Sequence, residues 1–328
     1  MSVSEATDRR AGDSDGPMAW VDREALARLL TPSQGADALA LSLRGEGKDP
    51  VAPVRTVVRL DVGELLMMPA AGPEGAGTKL LSVVPRNPTR GLPLVQGVFV
   101  LFSPDELRPI AIIDGAALTE LRTPAVSVLA ARVLAREDAQ RLVVFGAGVQ
   151  ARAHVAAMAA IRPIRTVTVV ARSTAANLVE DLRRAGFEAE EGGAEAVGRA
   201  DIICTCTTAA EPLFDGDAVA RGAHVSAMGS YRPETREIDE ALLRRATVVL
   251  EDREAVLAEA GDLLIPLAAG AYDLDRVSGD LRSLATGALT RSDPEEITVF
   301  KSVGVAWEDL VVARACWDRL VDGGLEGS

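Results

Sequence analysis

Three cations in an acidic chain stand where a carboxylate could be gripped. Arg55 lies in Pro53-Val54-Arg55-Thr56-Val57-Val58, Lys79 in Gly77-Thr78-Lys79-Leu80-Leu81, and Arg122 in Thr119-Glu120-Leu121-Arg122-Thr123-Pro124. A forked guanidinium binds a carboxylate through two parallel hydrogen bonds, and a nearby lysine adds a point charge or a proton. Periodicity alone leaves a second description open, in which each is a strand-edge cation with a solvated head.

A second constellation concerns phosphate. Leu142-Val143-Val144-Phe145 runs straight into Gly146-Ala147-Gly148-Val149-Gln150-Ala151, and a helix is expected over residues 151–161. A G-x-G-x-x-A turn between strand and helix fits a dinucleotide. Gly146 makes the turn, Gly148 lets the backbone approach a pyrophosphate, and Ala151 keeps the helix close to the strand. The helix N-terminus then offers free N–H groups and a partial positive charge. An acid about 20 residues further on would hold the ribose 2′-hydroxyl of NAD. Residues 167–177 contain no Asp or Glu; they offer Arg172 with Ser173 and Thr174, a cradle for a 2′-phosphate. NADP(H) is therefore the expected cofactor, with NAD(H) as the alternative. A solvated arginine at a strand end is the plainer description of Arg172.

The elements that would position these groups fall into two sets. From residue 142 onward, short apolar strands (142–145, 166–170, 201–205, 224–228, 247–250) alternate with helical or turn-like segments such as 177–185 and 194–199. That pattern means a doubly wound parallel sheet of Rossmann type. Upstream, strands at 54–62, 65–68, 78–84, 97–102 and 110–113 are separated by Gly, Pro and Asp turns, after a helix at 22–30. This predicts an α/β protein with a second, α+β domain. A helix over 121–137 carries the chain from one to the other. The last helix, 306–321, is expected to pack back on the first domain, so that both chain ends build it and the active site lies in the cleft between the two. The expected division is a disordered tail at 1–17, a substrate and dimerisation domain at 18–123 and 305–328, and a dinucleotide domain at 124–304.

With 328 residues, two domains with proper cores fit. A net charge of −13 argues against nucleic acid and against anionic membrane surfaces. No apolar run approaches a membrane span, and the polar first 17 residues lack the apolar stretch of a signal peptide. Cys204, Cys206 and Cys316 read as small core residues in a reducing cytoplasm. With His154 and His224 the only histidines, a zinc site is not expected. His154 reads as packing or surface, His224 as a structural hydrogen-bonding group, and Glu251-Asp252-Arg253-Glu254 as a solvated helix start.

Together these segments resemble the ornithine cyclodeaminase/mu-crystallin family. The likeness runs through Pro53-Val54-Arg55-Thr56-Val57-Val58, Thr78-Lys79-Leu80, Asp114-Gly115, Leu121-Arg122-Thr123 and the glycine turn. It continues through Ala200-Asp201-Ile202-Ile203, Gly222-Ala223-His224 and Thr298-Val299-Phe300-Lys301-Ser302-Val303-Gly304, with Glu308-Asp309 just beyond. The resemblance implies a homodimer whose substrate-carboxylate cluster falls on Arg55, Lys79 and Arg122. It places cofactor contacts on Thr123, Gly146, Gly148, Val149, Gln150 and Arg172, with Ser302 and Val303 near the nicotinamide. Ala151, Ser173 and Thr205 complete the expected cofactor set.

One departure bears on the reaction. Cyclodeaminases of the family carry a catalytic aspartate where this chain reads Met228-Gly229-Ser230-Tyr231-Arg232-Pro233, so Tyr231 stands at its position. A phenol with an ordinary pKa near ~10 is a poor base at neutral pH. A ketimine reductase of the family also lacks the aspartate and carries an arginine at the position of Arg172. The expectation is an NADPH-dependent reductase of a small α-imino acid, with Tyr231 shaping the pocket or relaying a proton. The alternatives are an ornithine (or lysine) cyclodeaminase drawing its base from Glu64, Asp114, Glu237 or Asp239, an alanine-dehydrogenase-like oxidoreductase, and a non-catalytic NADPH and small-ligand binding protein.

Overall fold

A computed structural model describes residues 18–45 and 50–325; the tail expected over residues 1–17 lies outside them. Alternating apolar residues between Gly and Pro turns pair into a six-stranded sheet. Its strands are β1 (Ala19–Val21), β2 (Thr56–Leu60), β3 (Gly63–Gly72), β4 (Gly75–Val83), β5 (Val95–Phe102) and β6 (Pro109–Asp114). The order is β1-β6-β5-β4-β3-β2, antiparallel except for the parallel pair β1/β6. The two-residue period puts Leu66 and Met68 of β3, Lys79 and Leu81 of β4, and Phe99 and Leu101 of β5 on the buried side. Met68, Lys79 and Phe99 are register neighbours, so one row of this apolar face carries an ammonium group. Arg55 sits just ahead of β2, which is shorter than the expected strand.

The first helix, α1 (Arg23–Leu29), is capped by Asp22, whose Oδ1 accepts from Ala25 N at 2.8 Å. A second, unanticipated helix follows, α2 (Pro32–Arg44). Its signal was present in Thr31-Pro32-Ser33-Gln34: Thr31 Oγ1 accepts from Gln34 N, Gln34 Oε1 accepts from Thr31 N, and proline takes the first helical position. The helix expected at 121–137 is α3 (Gly115–Leu134), starting six residues earlier, where Asp114 Oδ1 accepts from Ala117 N at 2.9 Å. Pro124 suggested a helix start, yet it lies inside α3. Its missing N–H withdraws one i−4 bond there, and beside it the Thr119 carbonyl accepts from Gln150 Nε2 at 3.2 Å. α3 is continuous through residues 123 and 124, where the two domains were expected to meet.

The remaining chain winds a parallel sheet of eight strands: β7 (Arg141–Phe145), β8 (Thr166–Val170), β9 (Glu188–Glu191), β10 (Ile202–Thr205), β11 (His224–Ala227), β12 (Ala246–Leu250), β13 (Val277–Asp280) and β14 (Ile297–Lys301). Interspersed are α4 (Val149–Ala159), α5 (Ala176–Arg184), α6 (Glu240–Arg245), α7 (Arg253–Glu259), α8 (Gly261–Ala268), α9 (Leu281–Ala285) and, last, α10 (Ala306–Leu325). The order β13-β12-β14-β11-β10-β7-β8-β9 reverses between β7 and β10, the position at which open α/β sheets bind ligands. Strands β9, β13 and β14 went unread. β14 is fully buried, but Thr298 and Lys301 interrupt its apolar pattern. α10 packs on α2, α3 and the buried face of β3, β4 and β5, as expected. Among the described residues no helix is long and apolar enough to cross a membrane.

Where β10 begins, Asp201 ties down the loop leading to β7. Its Oδ2 accepts from Gln140 N and Arg141 N, each at 2.9 Å, and its Oδ1 from Arg141 Nη2 at 2.7 Å. Burial opposes its ionisation, but Arg141 and the two backbone donors win and hold its pKa below the ordinary 3.8. A depressed carboxylate stabilises the fold fully above its unfolded pKa and loses that contribution as pH falls through the folded value. Asp201→Asn is expected to cost about 1–3 kcal/mol near neutral pH. In urea unfolding the gap to the wild type should close once pH lies well below 3.8; a gap unchanged by acid would show that the charge contributes nothing.

Candidate active site

The glycine turn at the end of β7 has the conformation its residue types demand. Gly146 has φ +105°, and a Cβ there would lie 2.6 Å from the Cys206 carbonyl oxygen. A Cβ on Gly148 would meet nothing within 4 Å, so the space above it is open for a ligand. Val149 begins α4 and is exposed, while Ala151 is fully buried against the sheet. Two polar atoms near this helix start, Gln150 Oε1 and Thr123 Oγ1, are buried without a hydrogen-bond partner. An open glycine edge, a helix N-terminus and an orphaned hydroxyl fit a pyrophosphate.

Arg172 and Ser173 are exposed beyond the end of β8, and Arg172 makes no ion pair among the described residues. Thr174 Oγ1 donates to Glu191 Oε1 at 3.1 Å. Glu191 ends the neighbouring β9, a carboxylate that only the tertiary structure brings to this edge. Thr205 gives its hydroxyl proton to Glu237 Oε2 at 2.7 Å. Ser302 and Val303, both buried, leave the end of β14, and Ser302 N donates to the Ala227 carbonyl at 3.0 Å.

The three cations converge on the same cleft, each against a carboxylate from far along the chain. Lys79 Nζ lies 2.6 Å from Asp309 Oδ2, with both side chains fully enclosed. Arg122 Nε lies 3.2 Å from Asp309 Oδ1, and its Nη1 3.3 Å from Glu308 Oε2. Arg55 pairs with Glu259, and its Nη2 donates to the Val303 and Gly304 carbonyls, each at 2.8 Å. Gly304 has φ +80°, and a Cβ there would fall 2.6 Å from the Arg122 guanidinium. Only glycine lets the backbone pass that close. Burial pushes Lys79 down to about 8, against the opposing pull of Asp309. Burial also works against Arg122, but Asp309, Glu308 and Glu251 together keep its pKa raised. Glu259 is raised because burial outweighs Arg55.

Glu251 corrects an expectation. It is no part of a solvated helix start: it is buried, and its Oε2 accepts from Val303 N at 2.9 Å and Gly304 N at 2.7 Å. Asp252 caps α7.

Tyr231 sits half-buried in the loop after β11, its ring flanked by Arg55 Cζ at 5.3 Å and Arg232 Cζ at 5.7 Å. That loop is clamped from beneath. Glu237 accepts from Thr205 Oγ1, Thr207 N, Thr207 Oγ1 and Gly229 N. Asp262 accepts from Glu237 N and Ile238 N and pairs with Lys301 Nζ at 2.7 Å, and that ammonium donates to the Ser230 carbonyl. Burial leaves Glu237 raised despite these donors and Lys301. The four carboxylates considered as replacement bases are thus all engaged. Glu64 pairs with Arg232, Asp114 caps α3, Glu237 holds the clamp, and Asp239 caps α6 while accepting from Gly216 N.

Both histidines are structural. His154 bonds Ser127 Oγ and the Gln150 carbonyl, and His224 bonds Thr298 and Ser226. Burial lowers them to about 4 and about 3, so both are neutral at physiological pH. Cys204, Cys206 and Cys316 are free thiols, the first and last buried.

The chain matches known proteins both in sequence and in fold. The profile of the ornithine cyclodeaminase/mu-crystallin family matches residues 26–324. A Delta(1)-pyrroline-2-carboxylate reductase of Paracoccus denitrificans is 41% identical over 247 residues, covering 73% of this chain and 78% of that protein. Ketimine reductase mu-crystallin of Mus musculus is 35% identical over 305 residues, 90% of this chain and 93% of that one. The structure of Thermococcus litoralis Delta(1)-pyrroline-2-carboxylate reductase in complex with NADH and L-proline superposes with a TM-score of 0.88. It is 29% identical and covers 94% of this chain and 98% of that one.

Proposed function

Because the chain belongs to the ornithine cyclodeaminase/mu-crystallin family, we propose that it is a nicotinamide-dependent reductase of small α-imino acids. Its substrates are 1-pyrroline-2-carboxylate and 1-piperideine-2-carboxylate, reduced to proline and pipecolate. The carrying observation is the enclosed Lys79–Asp309–Arg122 cluster beside Gly304, with Glu64, Asp114, Glu237 and Asp239 each engaged elsewhere. That arrangement can bind a carboxylate and supply a proton, but it holds no spare base to oxidise an α-amine.

Gly146, Gly148, Val149, Gln150, Ala151 and Thr123 would hold a nicotinamide cofactor, with Ser302 and Val303 as further contacts, and the cofactor would supply the hydride. Around it, this chain's residues bind and polarise. Lys79 has three protons and meets Asp309 with one face, leaving donors for the substrate carboxylate or the imine nitrogen. Arg122 faces the same carboxylate. Arg55 fixes the Val303–Gly304 turn and keeps Nη1 for the substrate. With its pKa lowered to about 8, Lys79 gives up a proton more readily than an exposed lysine and keeps the imine nitrogen protonated. The imine carbon gains hydride and the nitrogen keeps its proton, which completes the amine. Tyr231 walls the pocket and can donate a hydrogen bond. Positioning and charge complementarity carry the catalysis, since an iminium is already electrophilic.

Purified protein is expected to consume NADPH with either cyclic imine and to release no ammonia from L-ornithine plus NAD. Lys79→Ala and Arg122→Ala should each lower kcat/KM by about 100-fold or more. Ammonia and proline from ornithine, or wild-type kinetics in both variants, would overturn the assignment.

NADPH is the proposed form of the cofactor, with Arg172 and Ser173 on the 2′-phosphate. Arg172→Ala should raise KM for NADPH by about tenfold or more and leave NADH nearly untouched. Equal effects on both would transfer the discrimination to the Glu191 edge.

The working form is proposed to be a homodimer. β2 is an edge strand with every residue exposed, yet Val57, Val58 and Leu60 are apolar, and Val62 and Leu65 extend the patch. An apolar open edge of this kind is a pairing surface. Sedimentation should find a dimer for the wild type and a monomer for Val58→Lys; a monomeric wild type would refute the proposal.

A further inference from the structure

The charges around the cleft do not balance as written. Three cations, Arg55, Lys79 and Arg122, face four enclosed or nearly enclosed carboxyls, Glu251, Glu259, Glu308 and Asp309. A buried surplus anion is costly, and protonation is the ordinary way out.

Where the proton sits can be read from the contacts. Glu251 Oε2 and Glu308 Oε2 take consecutive backbone donors, Gly304 N and Val305 N, so the two carboxyls are neighbours, and the second oxygen of each, Oε1, is buried with no partner. Two carboxylates cannot hydrogen-bond without a proton between them. Glu251 accepts two short backbone bonds, from Val303 and Gly304. Glu308 has only contacts of 3.3 Å, to Arg122 Nη1 and Val305 N.

We infer that Glu308 is a neutral carboxylic acid which donates its proton to Glu251, and that this hydrogen bond positions Arg122 and the Val303–Gly304 turn for the substrate carboxylate. Burial, followed by the charge of Glu251, raises the Glu308 pKa well above its ordinary value. The groups packed around the pair are Arg122 from α3, Asp309 from α10, Glu259 from α7, Arg55 ahead of β2 and, behind Asp309, Lys79 from β4. With Glu308 neutral, Arg55, Lys79 and Arg122 meet three anions, and the empty site is neutral. It then suits a ligand that is itself balanced, with one carboxylate and one cationic nitrogen, rather than a simple anion. This last step rests on the imine-reductase reading; the protonated carboxyl does not.

The two substitutions Glu308→Gln and Glu251→Gln separate this from an ordinary ion pair. A neutral Glu308 is mimicked by glutamine, whose amide still donates to Glu251, so Glu308→Gln should raise the imine KM less than Glu308→Ala, which removes the donor. Glu251→Gln removes the anion that anchors the turn and should raise KM by about tenfold or more. If Glu308 is instead the ionised partner of Arg122, Glu308→Gln will be the damaging change, and the inference fails. Infrared spectroscopy of the protein decides the protonation without turnover. The wild type should show a protonated-carboxyl carbonyl band at neutral pH that Glu308→Gln abolishes. Absence of that band, or its survival in Glu308→Gln, would overturn the assignment even if imine reduction is fast. Its presence would uphold the pair even if no imine is reduced.

Discussion

The need to neutralise three cations inside an enclosed cleft governs much of this structure. An isolated ammonium at the burial of Lys79 would be driven to its neutral form. Asp309 prevents that, and it does so from the first turn of α10, 230 residues away in sequence. Hence α10 must return from the parallel sheet to the face of β3, β4 and β5, and the turn at Gly304 must pass within van der Waals contact of Arg122. Topology, the positive φ of Gly304 and the return of the last helix all serve one electrostatic requirement. Breaking such a pair strands a charge, which costs more than the pair contributes to stability.

How much of this could be read beforehand depended on how local each determinant was. The turn after β7 was readable because backbone geometry restricts it to particular residue types within six positions. β1, α2, β9, β13 and β14 were missed for different reasons. α2 announced itself by a capping box that was passed over, whereas β14 hides behind Thr298 and Lys301, polar residues buried by partners no linear pattern reveals. Pro124 misled because proline favours helix starts, and here it lies in the interior of α3.

For the site the same distinction holds more sharply. Arg55, Lys79 and Arg122 could be singled out as cations in apolar surroundings and by their family pattern. Of their partners, Glu308 and Asp309 stood out only as part of the family likeness, with no role attached, and Glu259 was one acid among 48. Glu251 looked like one member of a solvated charge run, and only the two backbone donors of Val303 and Gly304 show its role. Glu191 is a further case: it ends the strand that β8 pairs with, so it reaches the expected cofactor edge across the sheet rather than along the chain.

The course of the chain between the two sheets has a mechanical consequence. It crosses in one direction inside α3, an unbroken rod of 20 residues, and returns through the few residues that Glu251 and Arg55 pin from either side. Hinge motion needs a few residues free to change φ and ψ, and neither crossing provides them. The only interruption in either crossing is the single i−4 bond that Pro124 withdraws from α3. A clamshell opening of the cleft would have to break the backbone bonds that Glu251 and Arg55 make to the 303–304 turn, or bend α3 at Pro124.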